Sequence, residues 1–103
     1  MQHVADIRRA LTSIAAGQDG PGIGPGLPAR LPEPVRQRIG AALTSANSFE
    51  SLGGEAVTGS HFNLDPALAR LEWYRTRTPA GIRYFTVRLD AGGRVIGVLV
   101  EDE

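Results

Sequence analysis

Residues 70–102 read RLEWYRTRTPAGIRYFTVRLDAGGRVIGVLVED, and this stretch decides the fold. Three runs of alternating side chains are separated by two turn sequences, TPAG at 78–81 and DAGG at 90–93. Proline suits the second position of a tight turn, and glycine supplies the positive backbone dihedrals that hairpin loops need. The stretch therefore predicts three consecutive strands joined as an antiparallel meander.

Alternation along these runs gives each strand two faces, because neighbouring side chains of a strand point to opposite sides. In the first run, one face carries Leu71 and Trp73, and the other carries Glu72, Tyr74 and Thr76. In the second run, one face carries Phe85, Val87 and Leu89, and the other carries Tyr84, Thr86 and Arg88. In the third run, one face carries Ile96, Val98 and Val100, and the other carries Val95 and Leu99. The third run is apolar on both sides, which indicates an interface or a second covering layer. Which face of the sheet is buried stays open at this point.

Two amphipathic helices are expected before the sheet. Apolar residues recur every three or four positions in QHVADIRRALTSIAAG and again in EPVRQRIGAALTSAN, which is the spacing of a helix that buries one face. We place the helices at about 3–16 and 34–46. Gly17 is a suitable C-terminal stop for the first helix, and Pro34 suits the first turn of the second.

The connector between the helices, GQDGPGIGPGLPARLPE at 17–33, is rich in glycine and proline. A dinucleotide-binding loop needs a preceding strand and free backbone amides, whereas here a helix precedes and prolines remove amides. A Walker-type phosphate loop needs a lysine, and the chain has none. The connector is therefore interpreted as a stiff link that forbids regular helix, with Leu27 and Leu31 as its anchors to the core.

Between the second helix and the meander, the sequence is less regular. Residues 48–59 read as one bent strand or two short ones, because Gly53 and Gly54 interrupt the apolar pattern. A loop with a turn at Asp65 and Pro66 follows. The segment from 65 to 75 also fits helical spacing, and we expect a strand from residue 70 onward.

Composition limits the classes of function. The 103 residues hold 11 basic and 11 acidic side chains, no cysteine, and no apolar run long enough to span a membrane. A balanced charge argues against nucleic-acid binding, and the missing cysteine excludes disulfides and thiolate metal sites. No signal peptide is recognisable at the start, so the sequence predicts a cytoplasmic protein without a membrane partner. The fold class is predicted as a single α+β domain over 1–103, with helices packed on a sheet over 48–101.

Few residues offer catalytic chemistry. His61 lies four positions before Asp65, and such a pair could act as a base and its orienting acid, although a loop histidine beside a capping aspartate explains it as well. No third and fourth metal ligand follow at a suitable spacing, and no GxSxG nucleophile motif is present. His3 stands near the end of the chain and is given no role. We therefore expect no metal and no cofactor.

The meander carries the residues that could contact a ligand or partner. Aromatic and arginine side chains interleave there, and the candidates are Trp73, Arg75, Tyr84 and Arg88. Aromatic side chains at a period of two also serve simply as sheet core, and arginines there also serve as a solvated face.

Several segments together resemble a known family. The quoted pieces are RRALTSIAAG, LPEPVRQRI, FESLGGEAV and YFTVRLDAGGRVIGVLVED. They are similar to small nuclear-transport-factor-2-like domains (the cystatin-like cone), and above all to accessory domains found after some bacterial serine beta-lactamase-like hydrolases. The resemblance implies a helix-backed curved sheet, a small cavity and a sheet-mediated dimer, but no particular reaction. The proline-rich connector and the segment SHFNLDPALARLEW depart from that pattern.

Three functional hypotheses remain from the sequence. The first is an accessory or interaction module without catalysis, which uses the sheet to bind a second copy or another protein, or holds a small apolar ligand in a sheet-lined cavity. The second is a small cone-fold isomerase or dehydratase acting on an apolar ring. In that alternative His61 or Asp65 would be the general base, and Tyr84 would donate a hydrogen bond to the developing oxyanion. A purely architectural piece of a larger protein is a third possibility.

Overall fold

The computed structural model describes residues 2–57 and 67–102, and it confirms the α+β class. Its elements in chain order are α1 Gln2–Ala15, α2 Leu27–Arg30, α3 Glu33–Thr44, β1 Ser48–Ala56, β2 Arg70–Thr78, β3 Gly81–Leu89 and β4 Val95–Asp102. The four strands form one antiparallel sheet in the order β1-β2-β3-β4, and each strand pairs with its sequence neighbour. The strand expected from residue 70 onward is β2, which begins at Arg70. Within the described residues, no helix is long and apolar enough to cross a membrane.

The long helices α1 and α3 pack on each other and on one face of the sheet. Ile7, Leu11 and Ile14 of α1 are buried, as is Ile39 of α3, so the predicted apolar stripes face the core. Gly17 follows α1 with a φ of 75°, and the next amide, that of Gln18, donates to the Ser13 carbonyl at 2.9 Å. This left-handed residue ends the helix without the steric cost that a side chain would add.

The connector contains a helical turn, which corrects the prediction that its prolines forbid regular helix. Helix α2 begins at Leu27 and carries Pro28 in its first turn, where the missing amide hydrogen has no partner to lose. Leu27 and Pro28 are buried, so the turn is held by the core. Leu31 is partly buried against the same core, as expected of an anchor.

The connector also protects one edge of the sheet. Ile23 forms a parallel bridge with Val95, where Gly24 N donates to Val95 O and Val95 N donates to Gly22 O, both at 2.8 Å. A Cβ on Gly24 would stand 3.1 Å from Ile96 Cγ2 and 3.2 Å from the Val95 carbonyl, so glycine permits this close approach. Pairing at the start of β4 covers part of an edge that would otherwise invite association with another strand.

The helix-facing side of the sheet forms the core, and β2 contributes to it with an unexpected set of residues. Tyr74 and Thr76 are fully buried and Glu72 is 5% exposed, whereas Leu71 and Trp73 point to the opposite face. The register explains this choice, since Tyr74 pairs with Phe85. The apolar residues of β3, including Phe85 and Val87, face the helices. Because paired residues point to the same side of the sheet, their partners on β2, Tyr74 and Glu72, face the helices as well. Tyr74 stacks on Phe49 with ring centroids 4.9 Å apart.

A bulge in β4 corrects the predicted faces of the last strand. Arg88 pairs with Gly97, but Leu89 pairs with Val95, so Ile96 is the extra residue. The bulge turns Val95 into the core, where it is buried together with Val100, although the sequence pattern places these two residues on opposite faces. Ile96 therefore no longer shares a face with Val98 and Val100. Leu99 alone keeps the apolar exposure that suggested an interface, with 53% of its surface accessible.

Strand β1 is one strand with a bulge between Ser51 and Gly53, rather than two. Gly53 has a φ of 105°, a conformation that side chains disfavour. Both predicted hairpin turns are present. Thr78 and Gly81 face each other across the first, and the Asp90 carboxylate accepts from the amides of Gly92 and Arg94 at 2.9 and 2.8 Å in the second.

Candidate functional site

The sheet has a second face that no described helix covers, and we call it the open face. Because paired residues of an antiparallel ladder point to the same side, the register defines its members: Ser48, Glu50, Gly53 and Glu55 of β1, Leu71, Trp73, Arg75 and Arg77 of β2, Ile82, Tyr84, Thr86 and Arg88 of β3, and Gly97, Leu99 and Glu101 of β4.

The four residues predicted as a contact surface lie together on this face. Trp73 and Arg75 are neighbours along one side of β2, and Arg75 pairs directly with Tyr84 of β3. Arg88 follows on the same side of β3, opposite Leu71. Trp73 and Tyr84 are half-buried and Arg88 is exposed. The two other aromatic residues of the meander, Tyr74 and Phe85, belong to the core instead.

Open-face residues form rows across the strands, and the rows differ in charge. One row is Glu50, Arg75, Tyr84 and Glu101. The row beside it, two positions further along each strand or three where β1 bulges, is uncharged and consists of Gly53, Trp73, Thr86 and Leu99. The row beyond it contains Glu55, Leu71, Arg88 and Gly97. An apolar strip centred on Trp73 and Leu99 therefore lies between two charged rows.

Ion pairs within the face hold two of its arginine side chains, Arg75 and Arg77, in place. Glu50 accepts from Arg75 Nη2 at 3.1 Å and from Arg77 Nε at 3.3 Å. The hydrogen bond from Arg75, supported by the charge of Arg75 and by Arg77, lowers the pKa of Glu50 below its ordinary value. The same contact raises the pKa of Arg75, and Tyr84 contributes a further interaction with that guanidinium. Arg75 and Tyr84 are thus positioned as a unit.

Of the residues proposed for catalysis, the structure describes Tyr84. His61 and Asp65 lie outside the described residues. Tyr84 lies on the open face beside Arg75, on the side of the sheet opposite the core. Tyr84 is thus the only one of the three proposed catalytic residues that the described part of the chain includes, and the enzyme hypothesis stays a prediction.

A second polar cluster lies on the helix-facing side, around Glu72. Its carboxylate, with 7% of the side chain exposed, accepts from the Tyr74 hydroxyl at 2.6 Å and from Arg70 Nε at 2.9 Å. His3 Nε2 lies 2.8 Å from one carboxylate oxygen and 3.0 Å from the other. His3, which the sequence left without a role, thus ties the first turn of α1 to β2. Three donors satisfy a charge that is otherwise expensive to bury.

The hydrogen bonds decide the protonation of this cluster. Burial alone would raise the pKa of Glu72, but the bonds from Tyr74, Arg70 and His3 together outweigh it and lower that pKa. Burial and the bond to Glu72 raise the pKa of Tyr74 well above its ordinary value. Glu72 therefore stays ionised and Tyr74 stays protonated near neutral pH.

His3 also borders a cavity of about 380 Å³ between α1, the connector and the β3–β4 turn. The lining residues are His3, Asp6, Ile7, Arg9, Ala10, Ser13, Pro21, Gly22 and Gly93. Two further cavities, of about 240 and 520 Å³, lie beside α3. None of these three cavities is lined by the predicted contact residues, Trp73, Arg75, Tyr84 and Arg88. The cavity that His3 borders therefore lies away from the predicted contact surface.

The described residues contain no group of three or more histidine, cysteine, aspartate or glutamate side chains that could hold a metal ion. The Glu72 cluster was the feature that sequence reasoning missed. A glutamate at an alternating position beside Tyr74 was the available signal, because a charge on the face that carries a large aromatic residue needs partners if that face is buried. The partner, His3, is too distant in sequence to be found by spacing.

Comparison of the chain with protein-family models, curated proteins and solved structures finds no match. The resemblance to nuclear-transport-factor-2-like domains therefore rests on the quoted sequence pieces alone and stays a prediction.

Proposed function

We propose that this chain is a binding module without catalysis, and that its open face associates with the open face of a second copy. The observation that carries the proposal is the uncharged row Gly53, Trp73, Thr86 and Leu99, which lies at the middle of a sheet face without a described helix layer. Its apolar members would be shielded from water by a partner.

The net charge of the face is compatible with a copy of itself as the partner. Three carboxylates, Glu50, Glu55 and Glu101, balance three guanidinium groups, Arg75, Arg77 and Arg88. The guanidinium groups lie on the central strands β2 and β3, and the carboxylates lie on the outer strands. A face without net charge is not repelled as a whole by its own copy or by another neutral surface, whereas a nucleic acid or an anionic membrane would require a positive excess.

The symmetry of the rows supports the same partner. Most small oligomers have a two-fold axis, and the same patch then meets itself. An axis in the plane of the interface, running along or across the strands through the uncharged row, brings that row against its own copy. Trp73 and Leu99 would then be shielded by uncharged residues rather than by ion pairs.

The size of the face is close to what a dimer needs. Strands spaced at about 4.8 Å, with about 3.3 Å per residue, give the four strands a projected area of roughly 600 Å². A standard interface buries about 800 Å² on each partner, measured over a rough surface. Full overlap of the two faces would therefore supply most of such an interface.

Sedimentation velocity over a range of concentrations tests the proposal. We expect the mass to rise from 11.0 kDa toward twice that value as the concentration increases. Leu99→Glu places a charge in the uncharged row at a residue that is 53% exposed, so it should weaken association without unfolding the chain. The double variant Arg75→Ala/Arg88→Ala should weaken it as well.

Arg30→Ala is the matched control, because Arg30 is exposed on α2, away from the open face. Thermal unfolding of each variant shows whether the fold is retained. A mass of 11.0 kDa at every concentration would overturn the choice of a second copy. Association that Leu99→Glu leaves unchanged would overturn the choice of the open face.

A further inference from the structure

The cavity beside α1 offers a set of groups that the proposed association does not use. Asp6 and Arg9 line it and form an ion pair, with Arg9 Nη1 3.0 Å from Asp6 Oδ1. Ile7 and Ala10 are buried beside them, and Pro21 closes the opposite wall. The cavity thus presents one negative group, one positive group and an apolar surface within about 380 Å³, a volume within the range of small-molecule sites.

His3 also lines the cavity, and its ring is held in place by a hydrogen bond. A carboxylate only accepts, so the His3 nitrogen that lies 2.8 Å from Glu72 must carry the proton. Glu72 is itself fixed by Tyr74 and Arg70, so the imidazole is held from behind by a rigid cluster.

From this set we infer that the cavity binds a free α-amino acid as its zwitterion. The ammonium group would contact Asp6, and the carboxylate would contact Arg9. An apolar side chain would pack on Ile7, Ala10 and Pro21. The inference is independent of the association through the open face.

Charge complementarity selects this class over its relatives. A simple carboxylate would be attracted by Arg9 but repelled by Asp6. A simple amine, in its protonated form, would be attracted by Asp6 but repelled by Arg9. An α-amino acid carries both charges around one carbon atom, which matches two protein charges that already touch. The internal pair is largely exposed, with 74% of the Arg9 side chain and 63% of the Asp6 side chain accessible. Such pairs contribute little, so exchanging them for ligand contacts costs little.

The experiment is an amide shift titration of the isotope-labelled full chain with leucine, N-acetyl-leucine, leucinamide and leucyl-glycine. We expect leucine to shift the amides of residues 6–13, Gly22 and Gly93 in the millimolar range. The acetylated and amidated probes each lose one charge, and they should bind about tenfold more weakly or worse. The dipeptide separates its two charges and should also bind weakly, which distinguishes a free amino acid from a peptide end.

Variants test the two protein charges separately. Asp6→Asn and Arg9→Gln should each weaken leucine binding about tenfold or more, whereas the control Arg8→Gln, next in sequence but outside this cavity, should not. All three side chains are exposed, so folding is retained. Equal binding of leucine and N-acetyl-leucine would overturn the inference. So would the absence of shifts with leucine at the highest concentration, or equal losses in the control variant.

Discussion

His3 donates a hydrogen bond from Nε2 to the carboxylate of Glu72, 69 positions further along the chain, with nitrogen–oxygen distances of 2.8 and 3.0 Å. The contact joins the first turn of α1 to the buried face of β2. Glu72 is the centre of the cluster, because Tyr74 and Arg70 also donate to it. The helix layer is therefore fixed to the sheet by a polar contact as well as by apolar packing.

Removing the charge of Glu72 should destabilise the domain. In Glu72→Gln, the amide cannot accept from all three donors, and its own hydrogens meet the groups of Arg70 and His3 that donate to the carboxylate. We expect a loss of about 1–3 kcal/mol in the free energy of unfolding, measured by urea denaturation. The control Glu55→Gln, on an exposed position of β1, should change it by less than about 0.5 kcal/mol. Equal losses in both variants would contradict the role of the cluster.

The same cluster should make stability depend on pH. Its hydrogen bonds lower the pKa of Glu72 in the folded protein, so the folded state binds the proton less readily than the unfolded chain. The stabilisation is therefore complete above the unfolded value of about 4.3, and it is lost as pH falls through the lower folded value. The stability difference between the unchanged chain and Glu72→Gln should narrow below about pH 4. Urea denaturation at several pH values measures it, and a constant difference would contradict this account.

The buried hydroxyl of Thr76 predicts a variant that is more stable than the unchanged chain. Thr76 is fully buried, and among the described residues its Oγ1 has no hydrogen-bond partner. Thr76→Val replaces this hydroxyl by a methyl group of similar shape, so it should stabilise the domain by about 1 kcal/mol. Thr86→Val on the half-buried open face is the comparison and should change stability less. Thermal unfolding reports both, and a less stable Thr76→Val would show that the hydroxyl is satisfied in solution.

Gly54 should tolerate no side chain. A Cβ at this position would lie 2.7 Å from the Leu71 carbonyl oxygen and 2.9 Å from Glu72 Cγ, so the backbone of β1 or β2 would have to move. We expect Gly54→Ala to cost about 1–3 kcal/mol in the free energy of unfolding. In the control Gly92→Ala, the atom nearest to the added Cβ is Asp90 Oδ1 at 3.4 Å, so the loss of unfolding free energy should be smaller. Equal costs would mean that β1 shifts freely at its bulge.

Much of the fold could be predicted from local patterns. The apolar stripes of α1 and α3 and the turns at Thr78–Gly81 and Asp90–Arg94 are local signals, and the structure agrees with each of them. The order of helices and strands then left an antiparallel meander with one helix layer as the simplest arrangement.

The two bulges and the inner face of β2 could not be predicted in this way. A single extra residue at Ile96 reverses the side of Val95, and no local pattern distinguishes it from regular alternation. Strand β2 carries large side chains on both faces, so its inner face is determined by pairing with β3 rather than by its own sequence. The candidates Trp73, Arg75, Tyr84 and Arg88 could be chosen from residue type alone, and it is the pairing of β2 with β3 that places all four on one face.

The most direct test is an isotope-filtered NOE measurement on a mixture of labelled and unlabelled copies of the full chain. It detects only contacts between different molecules. We predict intermolecular signals from the Trp73 ring and the Leu99 methyl groups, together with Tyr84, because these residues lie on or beside the uncharged row. An absence of intermolecular signals from this row at high protein concentration, or signals only from the helices, would contradict association through the open face.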